Sequence, residues 1–174
     1  MKKLILFFCL LIATLGGDAQ AVANSTEQTV KMGTGIPPYR ILTTDSNYAT
    51  PANLKKHRKL MLIYFSPDCP HCQHLTEEMK PKMKEFGDTQ IVMITWSLNF
   101  DIRAIKDFVR DYDLKKYPNL TIGTEGYSDI VRKYFSIATT PYIAIYNSNG
   151  KLAKAFDKAP EIDKLVTAVK NADK

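Results

Sequence analysis

Residues Leu60 to Phe65 form an unbroken apolar run, and after Ser66-Pro67-Asp68 the chain reads Cys69-Pro70-His71-Cys72. A run this short and this apolar is expected of a strand buried on both faces. Pro70 suits the first turn of a helix, where its missing N–H costs nothing. The chain must therefore set Cys69 at a strand-to-helix junction, with Cys72 one turn further in. Unpaired N–H groups and the helix dipole favour negative charge at that junction. Two thiols so placed can open and close a disulfide. Exposure assigns the roles: Cys69 attacks or is attacked, and Cys72 resolves the mixed disulfide. His71 can add a hydrogen bond or partial positive charge to the Cys69 thiolate. Asp68 pushes the other way, because a carboxylate beside a nucleophile disfavours its ionisation.

The amino terminus reads as an address. Met1-Lys2-Lys3 is basic, Leu4 to Leu15 is apolar but short for a bilayer, and Ala19-Gln20-Ala21 and Ala21-Val22-Ala23 fit a small-residue cleavage site. Residues 1–23 are expected to be a signal peptide, 24–35 a flexible lead-in, and 36–174 one domain. Cleavage removes two lysines and one aspartate, which brings the net charge from +6 to +5. The remaining positive charges are scattered among acids, so no nucleic-acid role is expected. Cys9 leaves with the signal, and Cys69 and Cys72 stay as the mature chain's thiols. A pair this close closes too small a loop to staple a fold, so its purpose is reactivity.

Further elements alternate. Ile36 to Leu42 reads as an edge strand, since prolines are tolerated there, and Pro51 to Lys59 as a short helix. The cysteine helix should run to about Phe86, kinked at Pro81 and stopped at Gly87. Ile91 to Trp96 is a second buried strand, and Asp101 to Tyr112 an amphipathic helix. Tyr117 to Gly126 reads as an irregular connection with room for a short strand, and Tyr127 to Phe135 as a short helix. Tyr142–Tyr146 and Lys151–Phe156 flank Asn147-Ser-Asn-Gly150 as a hairpin. Pro160 to Lys170 closes as an amphipathic helix. The order predicts an α/β domain, a mixed sheet with helices on both faces. Tyr64, Phe65, Trp96, Tyr142 and Tyr146 are expected to be core and rim aromatics.

Strand, Cys-Pro-His-Cys, kinked helix, then Thr139-Thr140-Pro141-Tyr142-Ile143 before a hairpin and helix resemble the thioredoxin superfamily. The stretch from Trp96 to Ile137 resembles the αβ-type insert of exported TlpA/ResA-like proteins. The resemblance covers about Ile36 to Lys170. It implies a thioredoxin-like fold, a cis proline at Pro141, and a substrate-facing wall at Thr140 and Pro141. It also implies thiol–disulfide oxidoreductase activity with no cofactor beyond the Cys69–Cys72 disulfide. Cysteine-containing exported proteins would be the partners, with a membrane-bound electron donor or acceptor, in a periplasmic or other extracytoplasmic compartment. Two departures stand out. Asp68 replaces the tryptophan usual before the first cysteine, and Ile63 replaces the buried aspartate usual six residues before it. Glu77 and Glu78 are weak substitutes for that proton acceptor.

The framework favours a reductase, whereas Cys-Pro-His-Cys resembles strongly oxidising relatives and keeps a disulfide oxidase or isomerase in view. The 69-position step from Cys72 to Pro141 is too short for those relatives' large helical insertion. From another class, Cys69, His71, Cys72 and His74 would suit a copper-binding metallochaperone on the same fold. A structural zinc site would want a second ligand pair, and His57 is the remaining histidine. Gln73 stands where haem attachment requires histidine. No metal site is therefore expected.

Overall fold

The computed structural model describes residues 35–96 and 102–174. The expected signal peptide at 1–23 and nearly all of the 24–35 lead-in lie outside them. Seven strands among the described residues make one sheet: β1 (Ile41–Thr43), β2 (Tyr48–Ala49), β3 (Leu60–Tyr64), β4 (Gln90–Thr95), β5 (Leu120–Thr124), β6 (Tyr142–Tyr146) and β7 (Leu152–Phe156). Their spatial order is β2-β1-β5-β4-β3-β6-β7. Strands β3, β4 and β5 run parallel, and β6 returns antiparallel beside β3, with Ile63 opposite Ile143 and Tyr64 opposite Tyr142. Parallel neighbours need a crossover; α1 (Pro70–Lys82) links β3 to β4, and α2 (Ile102–Asp111) precedes β5. Helix α3 (Ile130–Phe135) follows β5, and α4 (Ile162–Lys170) closes the described chain.

Side chains alternate across the sheet with the two-residue period of a strand. Met61, Ile63, Phe65, Ile91, Met93, Ile143 and Ile145 face one core with Cys72, Leu75 and Met79 of α1, Ile105 and Phe108 of α2, and Leu165 and Val169 of α4. Leu60, Leu62, Tyr64, Val92, Ile94, Tyr142 and Tyr146 face the other, with Val131 and Phe135 of α3. The expected mixed sheet with helices on both faces is what the chain forms. The central strands are apolar throughout because both of their faces are covered.

Several boundaries differ from the sequence reading. Pro37 and Pro38 have no N–H to offer a ladder, so pairing begins only at Ile41. Strand β1 is not the edge; β2 is, and β1 lies between β2 and β5. The helix expected over 51–59 shrinks to one 3-10 turn, Pro51–Asn53. Beyond it the Gln90 side chain holds the Lys55 backbone from both sides, at 2.6 and 3.1 Å. Helix α1 ends at Lys82, one residue past Pro81, and turns lead to Gly87 at φ +60°. The connection read as irregular with room for a short strand does contain one, β5, and it is bonded to both β4 and β1. Gly123 permits that close approach: a Cβ there would lie 2.6 Å from the Leu42 carbonyl oxygen.

Candidate active site

Cys69 occupies the position just before α1, in extended conformation, and its carbonyl accepts the first helical hydrogen bonds from Cys72 N and Gln73 N, each at 3.0 Å. The Ser66–Cys69 turn leads into it, closed by the Cys69 N–H on the Ser66 carbonyl at 3.1 Å. Gln73 braces the same turn, its amide donating to the Pro67 carbonyl at 2.9 Å. Cys69 is half-buried and Cys72 is 1% exposed; both are free thiols. The Thr140–Pro141 peptide bond is cis. It brings the Thr140 carbonyl oxygen to 3.5 Å from the Cys69 sulfur, which donates to it.

The two thiols differ sharply in acidity. Partial burial of Cys69 opposes its ionisation, but hydrogen bonding from the Thr140 side chain, the Cys72 backbone N–H and thiol, and the His71 backbone N–H outweighs it. Its pKa therefore lies below the ordinary thiol value. Burial dominates at Cys72. The Ser66 N–H offsets only part of that, while a negative neighbour at Cys69 adds to it, so its pKa is pushed up to about 12. At neutral pH Cys69 is the thiol with accessible thiolate chemistry, and Cys72 is held protonated in the core.

The other sequence candidates fall around this pair. Pro70 is the first residue of α1 and exposed. His71 is exposed, and its backbone N–H is the part that acts on Cys69. Asp68 is exposed and accepts a hydrogen bond from the Ser66 hydroxyl. Glu77 pairs with Lys80 at 2.8 Å, and Glu78 faces His74 at 3.5 Å. Ile63 lies fully buried where the resemblance would put an aspartate. Among the described residues, no three His, Cys, Asp or Glu side chains group as a metal site.

Sequence reasoning missed a buried polar cluster on the opposite face of β3. Tyr64 donates its hydroxyl to Glu125 at 2.9 Å, and the second Glu125 oxygen accepts the Val131 N–H of α3 at 2.9 Å. Glu125 is 5% exposed. Trp96 stacks on Tyr64 with ring centroids 5.9 Å apart and planes 12° from parallel. A lone acid directly after a strand and before Gly126 was the only signal, and many surface acids look the same.

A thioredoxin-like domain model matches residues 47–170, most of the chain. A protein disulfide-isomerase of Ricinus communis is 24% identical over 121 residues, covering 70% of this chain and 22% of that protein. The chain thus spans under a quarter of that relative. A secreted disulfide oxidoreductase of Mycobacterium tuberculosis, homologous to E. coli DsbE, superposes with a TM-score of 0.64 at 18% identity, over 76% of this chain and 95% of that one. The exposed lipoprotein thioredoxin Etrx1 of Streptococcus pneumoniae superposes at 0.59 and 19% identity, over 76% and 98%. At such identities the superpositions speak to the fold, which they share across nearly their whole length. The family match shows that this chain belongs to the thioredoxin-like domain family, whose fold these structures share.

Proposed function

We propose that the protein is an exported thiol–disulfide oxidoreductase that works as a reductase of cysteine pairs in other exported proteins. The observation that carries the exchange reading, though not its direction, is the split between a half-buried, acidified Cys69 and a buried, protonated Cys72 one helical turn away. The Cys69 thiolate attacks one sulfur of a partner disulfide and expels the other as a thiolate, which takes up a proton. Cys72 then gives up its proton and attacks the Cys69 sulfur, releasing the partner's second thiol. Two electrons pass to the partner, and Cys69–Cys72 is left as a disulfide. A membrane-bound dithiol protein would return those electrons.

Export rests on the leader-like residues 1–23 and gains support from the secreted and surface-exposed relatives of this fold. The reductase direction rests on the TlpA-like framework. Equilibration with glutathione tests it: a potential near thioredoxin's, about −270 mV, is expected, and one near −120 mV would make the protein an oxidase.

A further inference from the structure

We propose that the basic turn Lys55–Lys59 docks the protein on an anionic lipid bilayer and holds Cys69 on the side facing away. Lys55-Lys56-His57-Arg58-Lys59 is an unbroken run of basic residues. It lies just before β3, whose first residue, Leu60, pairs with Tyr146 at the end of β6. Cys69 lies past the other end of β3, beside Thr140. The turn and the thiol therefore occupy opposite poles of the sheet, and docking does not depend on the exchange chemistry.

Residues Lys55 to Arg58 are exposed, and His57 at φ +58° turns the chain. Two acids stand nearby. Arg58 pairs with Asp88, and Asp173 accepts the Ser148 N–H at 2.7 Å in the adjoining hairpin. Lys55, Lys56 and Lys151 are exposed and make no ion pair among the described residues. Between turn and hairpin lies a hollow of about 350 Å³, where Lys55, Lys56 and Arg58 stand beside Ile36 and Leu54. Cations next to apolar residues suit an anionic headgroup. Ile36 also places the incoming chain: the residues before Gly35, with the apolar run Leu4 to Leu15, join the domain at this pole. The Cys69 pole has the opposite character, since Asp68, Glu77, Asp107 and Asp111 line one hollow there. An anionic surface attracts the first pole and repels the second, which fixes the orientation. Each lysine held near such a surface strengthens attachment about fivefold.

The test is co-sedimentation with vesicles of phosphatidylglycerol or phosphatidylcholine at about 0.1 M salt. Described residues alone cover both faces of the sheet, so residues 24–174 serve, and the apolar leader does not enter the measurement. The protein should sediment with the anionic vesicles and not the neutral ones, and about 1 M salt should release it. The double variant Lys55→Gln, Lys56→Gln should bind about twentyfold more weakly. A control, Lys106→Gln with Lys158→Gln, removes the same net charge from exposed positions elsewhere and should weaken binding less than about threefold. Cys69 should react with a water-soluble maleimide as fast on the vesicles as off them. Equal binding to both lipids, or an equal loss in the two double variants, would overturn the docking face. So would protection of Cys69 on the vesicles. Release by soluble polyglutamate at matched charge would assign the turn to acidic proteins and overturn lipid docking. Each of these results leaves thiol exchange standing.

Discussion

The Cys69 sulfur lies 3.5 Å from the carbonyl oxygen of Thr140, a residue 71 positions away that β6 delivers to the start of α1. The reactive thiol is therefore the product of two separate segments. One supplies the helix start, and the other supplies the loop before the hairpin.

Thr140 should help to set the acidity of Cys69. Thr140→Val keeps the shape and backbone but removes the hydroxyl whose hydrogen bond favours the thiolate. Ultraviolet thiolate absorbance of the reduced protein against pH should show a first midpoint below the ordinary thiol value, moving up in the variant. An unmoved midpoint would mean that the backbone N–H groups suffice.

Cys72 makes the reduced protein sensitive to alkali. Its folded pKa, about 12, stands above the unfolded value of about 8.5. Through that window the unfolded chain loses a proton that the folded chain keeps, so stability falls as pH rises. Cys69 has the opposite sign: its contribution is complete above the unfolded value and is lost as pH falls through its folded pKa. Urea titrations of reduced parent and Cys72→Ala between pH 8 and 11 should diverge, with the parent losing stability faster. Buried tyrosines are common to both proteins and drop out of the comparison.

Glu125 is a structural acid with two buried dependants. Glu125→Ala strands the Tyr64 hydroxyl and the Val131 N–H, and each unsatisfied buried group costs about 1–3 kcal/mol. A loss of about 3 kcal/mol is expected in denaturant unfolding. A loss below about 1 kcal/mol would show that water replaces the carboxylate.

Gly123→Ala should destabilise through β1. The added methyl meets backbone rather than a flexible side chain, and overpacking of this kind costs about 1–3 kcal/mol. Hydrogen exchange should rise first at Leu42 and Thr43, which pair with β5. A neutral effect would mean that β1 shifts freely.

The parts of the fold that local pattern dictates were legible. Leu60 to Phe65 and Ile91 to Thr95 announce buried strands by continuous apolarity, and Asn147 to Gly150 announces a hairpin by turn chemistry. Strand β5 was obscured because Leu-Thr-Ile-Gly-Thr carries a glycine whose purpose is set by Leu42, some eighty positions earlier. The helix expected near Pro51 failed because Gln90, distant in sequence, claims the Lys55 backbone. At the site, Cys69 and Cys72 were plain from spacing, and Pro141 was named from family likeness. The Tyr64–Glu125 pair spans 61 positions and has no local signature.

The central claim is that Cys69 exchanges and Cys72 resolves, and it is tested most directly by trapping. Cys72→Ala, expressed with residues 1–23 in place in a cell of export-competent type, should accumulate mixed disulfides with partner proteins that vanish on reduction and are absent from Cys69→Ala. Mass spectrometry should place the linkage at Cys69. Equal trapping through Cys72 in the Cys69→Ala variant, or no mixed disulfide in Cys72→Ala, would contradict the account.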